Sequence, residues 1–272
     1  MSSRLLAISL GALLAAALPA FTLAAQAADP AASLLKLHQL RLAAQKSLGD
    51  FYMYNAMEGD QRYARMIEVS LQDANTRLKE INEMPGEGSK ALRVQLDRQW
   101  GGYQGELNSL TNALKTQGFT DLQPVADLTK RNQQLMALSA ELYNKIQQES
   151  GAKVPPLTQQ SREQSLLMQT IAVDYASRSA SVGASFIGGS EGKAIDELAK
   201  EFAGKLANME KAPQNTPQIR QELSTIGTTW RYIEKSLKNY NENSVPFLIN
   251  KYSDRIIEGL EGVSAQYATT SL

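Results

Sequence analysis

Apolar residues recur along this chain every three or four positions, alternately, and the rhythm seldom breaks. Ala64, Ile67, Leu71, Ala74, Leu78 and Ile81 form one run, and Leu96, Trp100, Tyr103, Leu107, Leu110 and Leu114 a second. Ile219, Leu223, Ile226, Trp230, Ile233, Leu237 and Tyr240 form a third. A helix turns once in about 3.6 residues, so this spacing keeps the apolar side chains on one narrow stripe. Stripes of this kind belong to antiparallel helices packed like coiled coils. No stretch alternates polar and apolar long enough to make a strand. The expected fold class is all-α.

Breakers cut the pattern into eight helices. They span about 31–57, 59–84, 89–117 and 124–149, then 158–187, 191–210, 217–241 and 245–269. Thr216 can cap a helix with Pro217 at its first position, and Ser244 can do the same ahead of Pro246. Gly86 and Gly88 separate the second helix from the third, and Gly188, Gly189 and Gly192 the fifth from the sixth. Gly59 stands alone between the first two, which leaves open whether they are separate or continuous.

The two halves repeat one another. Leu78, Ile81, Met84, Pro85 and Trp100 are echoed by Leu206, Met209, Ala212, Pro213 and Trp230. Ser139-Ala140 matches Ser264-Ala265, and Glu58-Gly59 matches Glu191-Gly192. The offsets drift between about 125 and 133 residues, as an old tandem duplication leaves when insertions stay in turns. The expected architecture is two tandem antiparallel four-helix bundles, residues 28–149 and 157–272. Residues 150–156, with Val154-Pro155-Pro156, form the linker. Trp100 and Trp230 fall in register on their stripes and are expected in the structural core.

Composition adds an address. Arg4 precedes an uncharged, alanine-rich run from Leu5 to Ala25, and Ala25-Gln26-Ala27 has the form of a cleavage site. Residues 1–27 therefore read as a signal peptide removed after Ala27, which makes the protein periplasmic. The run is long enough to serve as a membrane anchor, but its alanine content, Pro19 and the cleavage site favour removal. Lys and Arg together number 28, as do Asp and Glu. Without a basic excess or a basic helical face, nucleic acid and membrane lipid are not expected partners. Cysteine is absent, so disulfides and thiolate metal sites are not available.

Catalytic chemistry finds little material. Gly188-Gly189-Ser190-Glu191-Gly192 satisfies G-x-S-x-G, but that motif works as a strand-to-helix elbow with a histidine base downstream. Here it lies between two helices, and the sole histidine, His38, is far upstream. It reads as a turn, with Ser190 capping the next helix. A bundle-core di-iron site needs two Glu-x-x-His pairs, which one histidine cannot supply. His38 reads as an ordinary helical residue. Lys79-Glu80 and Glu234-Lys235 read as solvated faces, and Gly86-Glu87-Gly88-Ser89-Lys90 is too short to cradle a phosphate. No enzyme activity, metal or cofactor is expected.

A resemblance supplies a functional candidate. The text "RLKEINEMPGEGSKALRVQLDRQWGGYQGEL" and its counterpart "FAGKLANMEKAPQNTPQIRQELSTIGTTWRYIEKSLKNY", continuing through "VPFLINKYSDRIIEGL", carry a Pro-containing turn, a central Trp and a following helix. This arrangement resembles the N-terminal sensor module of type IV pilus methyl-accepting chemotaxis transducers and the periplasmic part of nitrate/nitrite-sensing kinases. In that family a first-helix signature like "SLRMQSYRL" binds an anion between two first helices. In this chain "QLRLAAQKSL" puts Arg41 and Lys46 at the two basic positions. The second copy, "SLLMQTIAV", puts Leu167 and Ala172 there.

The resemblance therefore implies ligand binding by Arg41 and Lys46, with a homodimer through the first helix pairing two such sites. The second copy's first helix would be a packing element. Arg41 and Lys46 are five residues apart, about 140° around a helix after one full turn, so both cannot aim at one anion. Arg41 is the expected contact and Lys46 secondary. No output domain is expected beside the two copies. The expected function is a non-enzymatic, exported, sensor-like module that binds a small anion or organic acid and acts through a membrane sensor or chemoreceptor. The alternative is a structural or interaction scaffold of the cell envelope, with no small ligand.

Overall fold

A computed structural model describes residues 29–81, 84–181, 192–242 and 244–270. Among the described residues it is all-helical: α1 (Pro30–Ala56), α2 (Gln61–Glu80), α3 (Glu87–Gln117), α4 (Leu122–Ser150), α5 (Pro156–Ala180), α6 (Ile195–Glu210), α7 (Pro217–Lys238) and α8 (Pro246–Thr270). The expected signal peptide lies outside these residues, as do Gly188 to Glu191 of the G-x-S-x-G string. No described helix is long and apolar enough to cross a membrane.

Local chemistry sets the helix ends. Asp29 caps α1 by accepting from the amides of Ala31 and Ala32 at 3.0 and 3.2 Å, with Pro30 at the first helical position. Glu58 and Gly59 both take left-handed backbone, φ 52° and 81°, which no continuing helix adopts. That pair makes α1 and α2 separate, and Asp60 caps α2 by accepting from Arg62 N at 2.9 Å. Thr216 Oγ1 accepts from Ile219 N at 3.2 Å ahead of α7, behind Pro217. Ser244 does something other than cap: its hydroxyl meets that of Ser179 at 3.0 Å, tying the entry of α8 to the end of α5. At the start of α3, Glu149 from the end of α4 accepts the amides of Gly88 and Ser89 at 3.0 and 3.1 Å. A carboxylate suits the positive end of a helix.

The stripes face inward. Tyr63, Ile67, Leu71, Ala74 and Leu78 of α2 are buried, as are Leu96, Trp100, Tyr103, Leu107, Leu110 and Leu114 of α3. They join α1 and α4 in one apolar cluster, while α5 to α8 build a second from Ile219, Leu223, Ile226, Trp230, Ile233 and others. Trp100 is 3% exposed and donates its indole N–H to Asn75 Oδ1 at 2.7 Å. Trp230 is 4% exposed and packs on Phe202 with ring centroids 4.4 Å apart. Leu167 and Ala172 are both buried.

The clusters meet where α1 lies against α5. Gln45 bonds Thr170, and a β-carbon on Gly49 would stand 3.3 Å from Val173 Cγ2. Position advances together on both helices, so α1 and α5 are parallel. α8 runs the other way across them, pairing His38 with Glu261 and Lys46 with Asp254. Both central helices are buried on nearly every face, polar residues included: Ser47 and Asp50 on α1, Gln164, Gln169 and Asp174 on α5. A helix covered all round must carry its polar groups in partnered positions.

Candidate functional site

Three polar groups stand out on α1, around Arg41, Lys46 and His38, and the first faces a cavity shared with α4, α5 and α6. That cavity, about 400 Å³, lies between α1, α4, α5 and α6. Arg41 and Gln45 enter from α1, and Tyr143 and Asn144 from α4. Gln159, Glu163 and Thr170 come from α5, and Glu201 with Lys205 from α6. Met136, Ala140, Leu166 and Leu167 make an apolar wall.

Most polar atoms here are already engaged. Tyr143 donates to Gln159 Oε1 at 2.7 Å, and Gln159 Nε2 donates to Glu163 at 2.9 Å. Glu201 accepts from Lys193 and Lys205, each at 2.8 Å, and these two lysines hold its carboxyl down at about 2. Gln45 Nε2 donates to Thr170 Oγ1 at 3.2 Å.

Among the charged groups Arg41 is the exception. It is partly buried, its Nε is buried without a hydrogen-bond partner, and no described residue forms an ion pair with it. Burial pulls its pKa down, while Tyr143 and Glu163 pull the other way through space. Gln45 Oε1 is likewise buried without a partner. A half-buried guanidinium with free donors, facing a polar hollow, can take an anionic group through its planar fork.

Arg162 of α5 was not foreseen from the sequence. It is buried behind Tyr143, donates to the Tyr143 hydroxyl at 3.3 Å, and leaves its own Nε without a partner. Its signal in the sequence is faint, an arginine among polar residues at the start of α5.

The structure does not bring Lys46 to this cavity. Its ammonium lies between Asp254, at 2.8 and 2.9 Å, and Asp50, at 3.5 Å, and Ser70 Oγ donates to Asp50 at 2.7 Å. Burial raises the Asp50 carboxyl to about 6, against the opposing pull of Lys46 and the Ser70 hydroxyl. An opening of about 310 Å³ beside Lys46 is bounded by Arg62, Arg65, Met66, Val69 and Ser70, away from Arg41. The resemblance also expects α1 to pair with a second copy. That helix is already covered by α5 of the same chain.

The third group is the His38 pair. His38 is 2% exposed and its Nε2 lies 2.8 Å from Glu261. Burial lowers its pKa, which the Glu261 carboxylate only partly offsets, so a neutral imidazole donates to a carboxylate. The sole histidine is thereby occupied as a structural donor. Among the described residues no group of three His, Asp or Glu side chains is placed to hold a metal. No family model, curated protein or solved structure matches the chain.

Proposed function

We propose that this protein is a non-enzymatic, exported, sensor-like module that binds a small anion or polar solute and passes the event to a membrane partner. One observation carries the reading: among the described residues Arg41 has no ion-pair or hydrogen-bond partner, in a polar cavity whose other charges are paired or hydrogen-bonded. An unpartnered guanidinium lowers stability, so retaining it makes sense if a ligand completes it.

The eight helices are read as two antiparallel four-helix bundles in tandem, each repeat starting with one of the two central helices. Arg41 and Leu167 occupy matching places in the two first helices and line the same cavity. Residues about 125 apart also face each other across the seam, at Gln45 and Thr170. This supports a single-chain version of the paired first helices implied by the resemblance to chemotaxis and nitrate/nitrite sensor modules. The site then has one arginine where a symmetric pair would have two. Lys46 is read as a stabilising cation and Arg41 as the contact. A solute bridging α1 to α5 and α6 would alter how the two halves sit together, which a docked membrane receptor can sense.

The test is a thermal-shift screen of nitrate, nitrite, small carboxylates and amino acids on wild type and Arg41→Met. A ligand that binds the folded state raises the melting temperature. The reading expects at least one solute to stabilise wild type and not Arg41→Met. Stabilisation of both proteins to the same degree would remove the cavity from consideration.

A further inference from the structure

The charges around Arg41 narrow the class of solute, on the assumption that this cavity is the binding site. Four ionised side chains line it, Arg41 and Lys205 with Glu163 and Glu201, and Lys193 adds a second cation to Glu201. Lys205 and Glu201 satisfy each other at 2.8 Å. Arg41 and Glu163 do not, because no ion pair joins them, and among the described residues Glu163 accepts only from the Gln159 amide. Arg41 sits deeper, partly buried, and Glu163 stands exposed at the mouth. One free positive and one free negative group therefore face the same hollow.

An inorganic anion suits such a hollow poorly. It would satisfy Arg41 but give the Glu163 carboxylate, which no described residue ion-pairs, nothing of opposite charge. It would also leave the buried Gln45 Oε1 without a donor, since nitrate and nitrite have no hydrogen to give. A zwitterion meets each demand. We infer that the cavity takes a free α-amino acid, its carboxylate on Arg41, its ammonium toward Gln45 Oε1 and Glu163, and its side chain along Leu166 and Leu167. Such a ligand offers Arg41 a carboxylate and offers Gln45 Oε1 and Glu163 an ammonium, so each unpaired group meets its opposite.

The experiment is calorimetric titration of the protein with the twenty common amino acids, with nitrate and with acetate. Each amino acid that binds is followed by its deaminated acid and its decarboxylated amine; for leucine these are 4-methylpentanoate and 3-methylbutylamine. The expected result is that at least one amino acid binds and that both of its truncated analogues bind tenfold weaker or worse. Glu163→Gln should weaken the amino acid several-fold without weakening the deaminated acid, and Arg41→Met should abolish both. An amino acid and its deaminated acid binding equally would overturn the inference, as would a binder unmoved by Glu163→Gln. If only nitrate or acetate binds, through Arg41, the inference fails and the anion reading stands. If nothing binds, both fail. The wild-type series decides the matter even where a variant does not fold.

Discussion

Arg41 and Lys46 stand five residues apart on one helix and have opposite fates. Lys46 is closed in by Asp254 and Asp50, so its charge serves the fold. Lys46→Met is accordingly expected to leave solute affinity unchanged in calorimetry, whereas Arg41→Met removes it. Asp50 offers a pH test. In the unfolded chain its carboxyl titrates near 3.9, and in the folded protein at about 6. Between those values the folded state keeps a proton that the unfolded state releases, so the wild type loses stability as pH rises from about 4 to about 6. Asp50→Asn removes that dependence. Its stability relative to wild type should improve by roughly 2–3 kcal/mol between pH 4 and pH 7 in urea titrations. A pH-independent difference would show that Asp50 titrates normally. Trp230 sits mid-stripe against Phe202, and Trp230→Ala should cost about 3–5 kcal/mol through lost burial and a cavity. A loss below about 1 kcal/mol would place the ring in a site that collapses freely.

At the scale of elements, all eight helices were legible, but the central place of α1 and α5 was not. In α2, α3 and α7 one face meets a core and the other meets water, which prints the three-four rhythm directly into the residues. α1 and α5 are covered from several sides, so their apolar and polar residues follow no single stripe. Leu34, Leu37, Leu40, Leu42 and Leu48 spread around α1, a sign that it is interior, but nothing local says that α5 is its neighbour. The cavity is hidden for the same reason. Gln45, Tyr143, Gln159, Glu163 and Thr170 come from three helices and share no motif, and of the lining only Arg41 and its counterpart Leu167 were marked by the resemblance. The close approach at Gly49 is testable. A β-carbon there would already lie 3.3 Å from Val173, so Gly49→Leu should force α1 and α5 apart at a cost of about 1–3 kcal/mol. An unchanged denaturation midpoint would mean the helices have room to separate at that point.

For the molecule as a whole, the shared seam implies that the two halves unfold together. Their clusters are distinct, but each depends on a central helix that the other covers. Trp100 reports on the first and Trp230 on the second, so Trp100→Phe and Trp230→Phe each leave one fluorescent probe. The two variants should each show a single transition that coincides with loss of helical circular dichroism. A fluorescence midpoint displaced from the dichroism midpoint would mean independent halves. The claim that the seam exists to hold a solute rests on Arg41, and its most direct test is urea unfolding of wild type and Arg41→Met, each with and without the best-binding solute. The account predicts that Arg41→Met is at least as stable as wild type without solute, because a half-buried unpaired cation gives way to an apolar chain. Solute should then stabilise wild type alone. A loss of more than about 2 kcal/mol on substitution, with solute still stabilising both proteins, would contradict it and make Arg41 a structural residue.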